Sequence, residues 1–231
     1  MNSVVEPPGW HGKLPSLGDF ASRRLDAAFV EAWDGWLAAG LLALREADPA
    51  GWLEAYLASP SWRFLLMPGV LPGEPGRQAW AGVLMPSVDR VGRYFPFTLV
   101  QPLGDGPAGT AQMAELWHWL GRLDELAGDA LQEDWAVDRL EAELARMAPP
   151  PRAGGAAAAP RPWPPAGAFD AVPLAEGGSA ADVIGREAQA LWAAQAGGRA
   201  YWYAQSELAG RRLLVSRGLP GAVAALLAVT I

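Results

Sequence analysis

The 231 residues suffice for one substantial domain or two small ones, and a composition of 51% apolar against 19% charged residues excludes the disordered class. Eighteen basic and 25 acidic residues leave a net charge of −7, and no Lys/Arg run supplies the basic face that phosphates require, which argues against a nucleic-acid partner. Cysteine is absent, and with it go disulfides, thiolate metal sites and cysteine nucleophiles.

The opening MNSVVEPPGWHGKLP has no basic stretch followed by an apolar one, so no signal peptide is read there. Residues 9–19, GWHGKLPSLGD, read as a Gly/Pro turn leading to the first helix, with Ser16 and Asp19 spaced as a variant capping box. Residues 26–46 then place Phe29, Val30, Trp33, Trp36, Leu37, Leu41 and Leu44 on one helical stripe behind Asp26 as N-cap. A shorter helix follows in DPAGWLEAYLASP, with Asp48 as N-cap, Pro49 at the first helical position and Trp52 and Tyr56 on the buried side.

Apolar runs at 62–67, 78–85 and 94–101, punctuated by Pro/Gly clusters, predict three strands, the last two paired as a hairpin. Helical period returns at 110–127, with Met113, Leu116, Trp117, Leu120, Leu123 and Leu126 on its stripe, and again at 133–147. The Pro/Ala/Gly tract at about 149–168 cannot form a packed element and reads as a flexible loop or linker. Beyond it come a weak strand (169–174), a helix (179–195), two strands (199–206 and 211–218) and a final helix (219–229).

This tail offers too little core to stand alone, so it is expected to complete the upstream sheet within a single 1–231 domain. The expected fold is α/β: a mixed sheet with at least one antiparallel hairpin and helices on both faces. The uncharged C-terminal stretch GLPGAVAALLAVTI is 14 residues long, short of the roughly 20 that span a bilayer, and the chain reads as soluble and cytoplasmic without membrane insertion. Twelve tryptophans, an unusual share, are read mostly as core, with part of that aromatic surface left for a partner.

Catalytic constellations are sparse. His11 and His118 share no metal-ligand spacing, and His118 reads as a helix-flank residue. No GxSxG elbow is present. Gly12-Lys13 resembles the end of a phosphate loop, but Leu14 and Pro15 stand where a magnesium-binding hydroxyl should follow. What remains is a charged knot between two prolines, with Ser87, Asp89, Arg90, Arg93 and Tyr94, and a second cluster in GDFASRR, with Asp19, Ser22, Arg23 and Arg24. A hairpin turn capped by Asp89 is the favoured reading. An ion-pair network joining the two loops, or a recognition surface for protein or anion, is the sharper one.

The stretches GKLPSLGDFASRRL, FVEAWDGWL, WRFLL with its following PG, WAGVLMPSVDRVGRYFPFTL and YWY…LLVSRGLP together resemble the TagF (ImpM-type) family of type VI secretion-associated proteins, from about Gly9 to Pro220. The Ala/Pro tract and Asp26, where proline would be expected, depart from the family pattern without touching its densest motifs. The resemblance implies a three-layer α/β sandwich and a non-enzymatic cytoplasmic protein without cofactor or metal. It also implies post-translational repression of type VI secretion through a forkhead-associated scaffold protein. No catalytic residue is carried over; Lys13, Asp19, Arg23, Ser87, Asp89, Arg90, Arg93 and Tyr94 are candidate motif or partner-binding residues. The alternative is an anion- or nucleotide-sensing module, or an enzyme, with an Asp/Arg pocket. Oligomeric state is not legible.

Overall fold

The computed structural model describes residues 6–107, 109–151, 179–206, 210–221 and 226. In chain order these form β1 (Gly9–Gly12), β2 (Ala21–Arg23), α1 (Ala27–Ala47), α2 (Trp52–Leu57), β3 (Trp62–Leu66), a 3₁₀ turn (Glu74–Arg77), β4 (Ala79–Met85), β5 (Phe97–Gly104), α3 (Thr110–Gln132), α4 (Val137–Arg146), α5 (Ala180–Ala196), β6 (Arg199–Ser206) and β7 (Gly210–Arg217). The strands make one seven-stranded sheet in the order β2-β1-β5-β4-β3-β6-β7.

Alternation along the central strands builds two cores. Trp62, Phe64 and Leu66 of β3, Trp80 and Leu84 of β4, Val100 of β5 and Trp202 of β6 face the layer of α1 and α2. Leu65 of β3, Ala81, Val83 and Met85 of β4, and Phe97 and Leu99 of β5 face the layer of α3 and α4. Every residue of β4 is buried, because helices cover both faces of the middle of the sheet. The α/β three-layer expectation therefore stands. The sheet was expected to be mixed; among the described residues every ladder is antiparallel instead. Here α1 and α2 lie between β2 and β3, and α3, α4 and α5 between β5 and β6; neither of these strand pairs is adjacent in the sheet, so no crossover between neighbouring parallel strands arises.

The α1 helix starts where Asp26 accepts a hydrogen bond from the Phe29 amide, and it buries Phe29, Trp33, Leu37, Leu41 and Leu44. By length and composition it could cross a bilayer, but this stripe lies against the sheet, as expected of a core helix. Asp48 does not cap the next helix directly: its carboxylate accepts from the Ala50 and Gly51 amides, holding a turn, and α2 begins after Gly51. The α3 helix runs on to Gln132, and it turns Trp119 inward where Trp117 was expected.

The hairpin of β4 and β5 is observed, paired from Met85↔Phe97 outward. The tail strands β6 and β7 lie at their expected positions, and β6 pairs with β3, so the tail extends the same sheet. The expected strand at 169–174, most of the 149–168 tract and nearly all of the final helix lie outside the described residues.

The turn expected at 9–19 contains a strand instead. Gly9 and Gly12 are there for close approach: a Cβ on Gly9 would meet the Leu25 side chain at 2.6 Å, and one on Gly12, at φ +123°, would meet the Pro96 carbonyl at 2.1 Å. Ser16 and Asp19 form no capping box. Ser16 Oγ donates to the Trp135 carbonyl, and Asp19 accepts from the amide of Phe20 next to it.

Trp10, Trp33, Trp62, Trp80, Trp119, Trp135 and Trp202 are buried, whereas Trp36, Trp52, Trp117 and Trp192 are half-buried. Core is thus the main role of the described tryptophans; Trp163 lies outside the described residues.

Candidate functional site

The eleven-residue connection from β4 to β5 folds back on itself through a Val88↔Tyr94 bridge, with the Asp89 amide donating to the Arg93 carbonyl at 3.0 Å. Gly92, at φ +82°, supplies the left-handed residue this turn needs, and its amide donates to the Asp89 carbonyl. The Asp89 side chain then fills the loop's centre. Its Oδ1 accepts from the amides of Val91 (3.0 Å) and Arg93 (2.9 Å), and its Oδ2 accepts from Lys13 Nζ (2.6 Å) and Arg93 Nε (2.7 Å).

Lys13, the chain's one lysine, arrives from the end of β1. It is 2% exposed and Asp89 4%, so the pair is internal. The Phe20 ring covers the ammonium at 4.2 Å. Ser87 Oγ donates to the Lys13 carbonyl at 2.7 Å, while the Ser87 amide and carbonyl both bond to the hydroxyl of Tyr56. Burial raises the Tyr56 phenol above its ordinary pKa, and the hydrogen bond to Ser87 offsets this only partly.

The two charged loops meet. The Arg90 amide donates to the Leu17 carbonyl, Arg93 Nη2 donates to the Gly18 carbonyl, and Arg93 stands 3.6 Å from Asp19. Of the residues singled out in the sequence, Lys13, Ser87, Asp89 and Arg93 converge, and Asp19 closes the rim. Tyr94 packs edge-on against Trp52 and Tyr56 beside them. The Arg90 side chain is exposed and has no carboxylate partner among the described residues. Arg23 stands apart on β2, bonded to the Ser22 carbonyl and lying over the Trp10 ring.

Sequence reasoning missed a second clamp. Arg24, in the left-handed region at φ 55°, donates to both oxygens of Glu141 on α4 and to the Pro8 carbonyl, and Trp10 Nε1 donates to the same carboxylate at 2.6 Å. This ties the adjacent strands β1 and β2 to the helix layer. Its signal was absent because Glu141 reads as one more exposed acid on an amphipathic helix.

Chemically, the knot is a lock. A carboxylate has about four lone-pair positions, and all four on Asp89 are occupied. Burial opposes its ionisation, but the hydrogen bonds from Lys13, Arg93 and Val91 prevail and hold it well below the usual carboxylate range. At Glu141 burial likewise opposes ionisation, and Arg24 and Trp10 outweigh it and lower the pKa. Among the described residues no three His, Asp or Glu side chains gather as metal ligands.

These depressed carboxylates fix the sign of the pH response. The unfolded chain takes up their protons near pH 4 and the folded chain only at lower pH, so their stabilisation is complete above that range and is lost as pH falls through the folded values. Urea midpoints are expected to be flat from pH 7 to 5 and to drop by pH 3. A midpoint that holds or rises on acidification would contradict the assigned pairing.

A sheet whose described ladders are all antiparallel lies between two helical layers, and the buried Lys13–Asp89 pair with Arg93 holds the β4–β5 loop, so the charged motif serves architecture first. The TagF N-terminal domain family, described as type VI secretion system-associated, matches residues 9–147, and the chain belongs to that family. The crystal structure of PA0076 from Pseudomonas aeruginosa PAO1 is similar to it with a TM-score of 0.72 at 33% identity, over 95% of this chain and 92% of that one. No curated protein matches the chain. The matched span contains the whole Lys13–Asp89–Arg93 lock and the Arg24–Glu141 clamp.

Proposed function

We propose that this type VI secretion-associated protein is a non-enzymatic cytoplasmic repressor that acts post-translationally by binding a forkhead-associated scaffold component. Family membership across residues 9–147 is the observation that carries this reading. The locked loop supports it physically, since a loop already ordered loses little entropy when a partner docks. Around the lock stand Phe20, 46% exposed, Val91, 63% exposed, and Arg90, which has no carboxylate partner among the described residues; arginine is one of the residue types that most often carry binding energy at an interface. The alternative, an anion-sensing Asp/Arg pocket, has less support because Asp89 engages both the Lys13 ammonium and the Arg93 guanidinium.

Titration of the full chain with the purified scaffold is expected to give a complex at micromolar concentration or tighter. Arg90→Glu/Val91→Asp should weaken it at least tenfold with an unchanged melting temperature. Raised levels of the chain in a secreting cell should reduce export. No complex at micromolar concentration, with secretion unaltered by deletion or overexpression, would end this proposal.

A further inference from the structure

The far edge of the sheet carries chemistry that the lock and the rim do not use. Among the described residues β7 pairs with β6 alone, over an unbroken register from Arg199↔Arg217 to Ser206↔Gly210. On its other side the amides and carbonyls of alternate residues along this eight-residue strand have no strand partner among the described residues. Edge strands are usually shortened, bulged, or broken by proline or an inward charge, because an open apolar edge recruits other strands. β7 has no proline and no register shift, and three consecutive apolar residues at its centre are exposed: Leu213 59%, Leu214 37% and Val215 54%.

Both faces of that edge are apolar. Leu214 lies beside Trp202 on the α1 side, and Leu213 and Val215 lie beside Tyr203 and Tyr201 on the α3 side. Leu213 also borders a hollow of about 530 Å³, whose other walls include Trp117, Trp192 and Tyr203. Alternate side chains of an added strand would reach toward this hollow.

Charge decides among occupants. β7 carries Arg211, Arg212 and Arg217, β6 adds Arg199, and neither strand has an acidic residue. No carboxylate pairs with the three β7 arginines among the described residues. On a chain of net charge −7 this edge is a basic island. Edge-to-edge pairing of two copies would bring three arginines from each strand together with no acid to offset them, so a second copy is disfavoured.

We propose that the outer edge of β7 docks an extended acidic segment of a partner protein, which joins the sheet as an eighth strand. Main-chain hydrogen bonds supply the register, alternate apolar side chains pack beside Leu213 and Val215, and flanking carboxylates meet Arg211, Arg212 and Arg217. This surface is distinct from the rim around Phe20 and Arg90, and its test does not depend on the scaffold.

The probe is a fluorescein-labelled nine-residue peptide of alternating valine and threonine with two acidic residues at each end, alongside the same peptide ended with lysines. Binding to the full chain is followed by anisotropy and by amide hydrogen exchange of residues 210–217. The acidic peptide is expected to bind, to slow exchange of the outward β7 amides at least tenfold at saturation, and to lose affinity as salt rises. Arg211→Glu/Arg212→Glu should cost at least tenfold in affinity at an unchanged melting temperature, and Leu214→Lys should also abolish binding.

Equal binding of the two peptides, or no binding at millimolar concentration, would overturn the proposal. So would outward β7 amides already protected in the free chain, or a concentration-dependent dimer that Leu214→Lys dissolves.

Discussion

Lys13→Met is expected to lower the unfolding free energy by about 3–5 kcal/mol, the usual cost of removing one partner from a buried ion pair. For a chain of this size that is a fall in melting temperature of roughly 6–20 °C. The methionine fits the space of the lysine stem, so a cavity contributes little. The loss falls on Asp89, which keeps Arg93 and two amides but loses its shortest contact, the 2.6 Å bond from Nζ, in a setting closed to water.

Adding Asp89→Asn should recover part of that stability. The neutral amide needs no counter-charge, and its oxygen still accepts from the Val91 and Arg93 amides. The two changes should therefore couple strongly in a double-mutant cycle measured by urea denaturation. A Lys13→Met protein that unfolds within about 1 kcal/mol of wild type would mean that the pair orients the loop without stabilising the fold.

The same lock shows what could be read in advance. The Asp/Arg spacing around Gly92 was legible as a turn because turn chemistry is local: a side chain bonding amides two and four residues ahead leaves its mark within five positions. Its buried counter-ion was not legible as such, because Lys13 lies 76 positions away and nothing local distinguishes a lysine bound for the interior from one in solvent. The long helices and the three central strands were plain for the opposite reason, since each carries its apolar period within one element. The first strand was hidden because its glycines, needed for close approach to Leu25 and to Pro96, look like turn residues when the neighbours are unknown. Beyond the expected hairpin, the antiparallel order of the other ladders lay beyond the sequence, because a long connection through helices can return its strand in either direction.

Trp33→Ala is the second change with a large expected effect, about 3–5 kcal/mol. Trp33 is fully buried on α1 and is the hub of the aromatic core. Its ring centre lies 5.7 Å from that of Phe29, 4.9 Å from Trp36, 5.1 Å from Phe64 and 6.3 Å from Trp202, so it holds α1 against β3 and β6 together. Its indole Nε1 also donates to the hydroxyl of Thr98 at 2.9 Å, on the strand next to β4 and wholly buried.

Trp33→Phe separates the two roles. It keeps most of the aromatic contact but leaves the Thr98 hydroxyl without its donor, at a cost of about 1–3 kcal/mol. Adding Thr98→Val should then restore much of the difference, because replacing both partners by apolar groups removes the unsatisfied hydroxyl. If Trp33→Phe alone matched wild type in chemical denaturation, packing would account for the whole contribution of Trp33. The bond to Thr98 would then serve only to fix which way the indole points between the helix layer and the sheet.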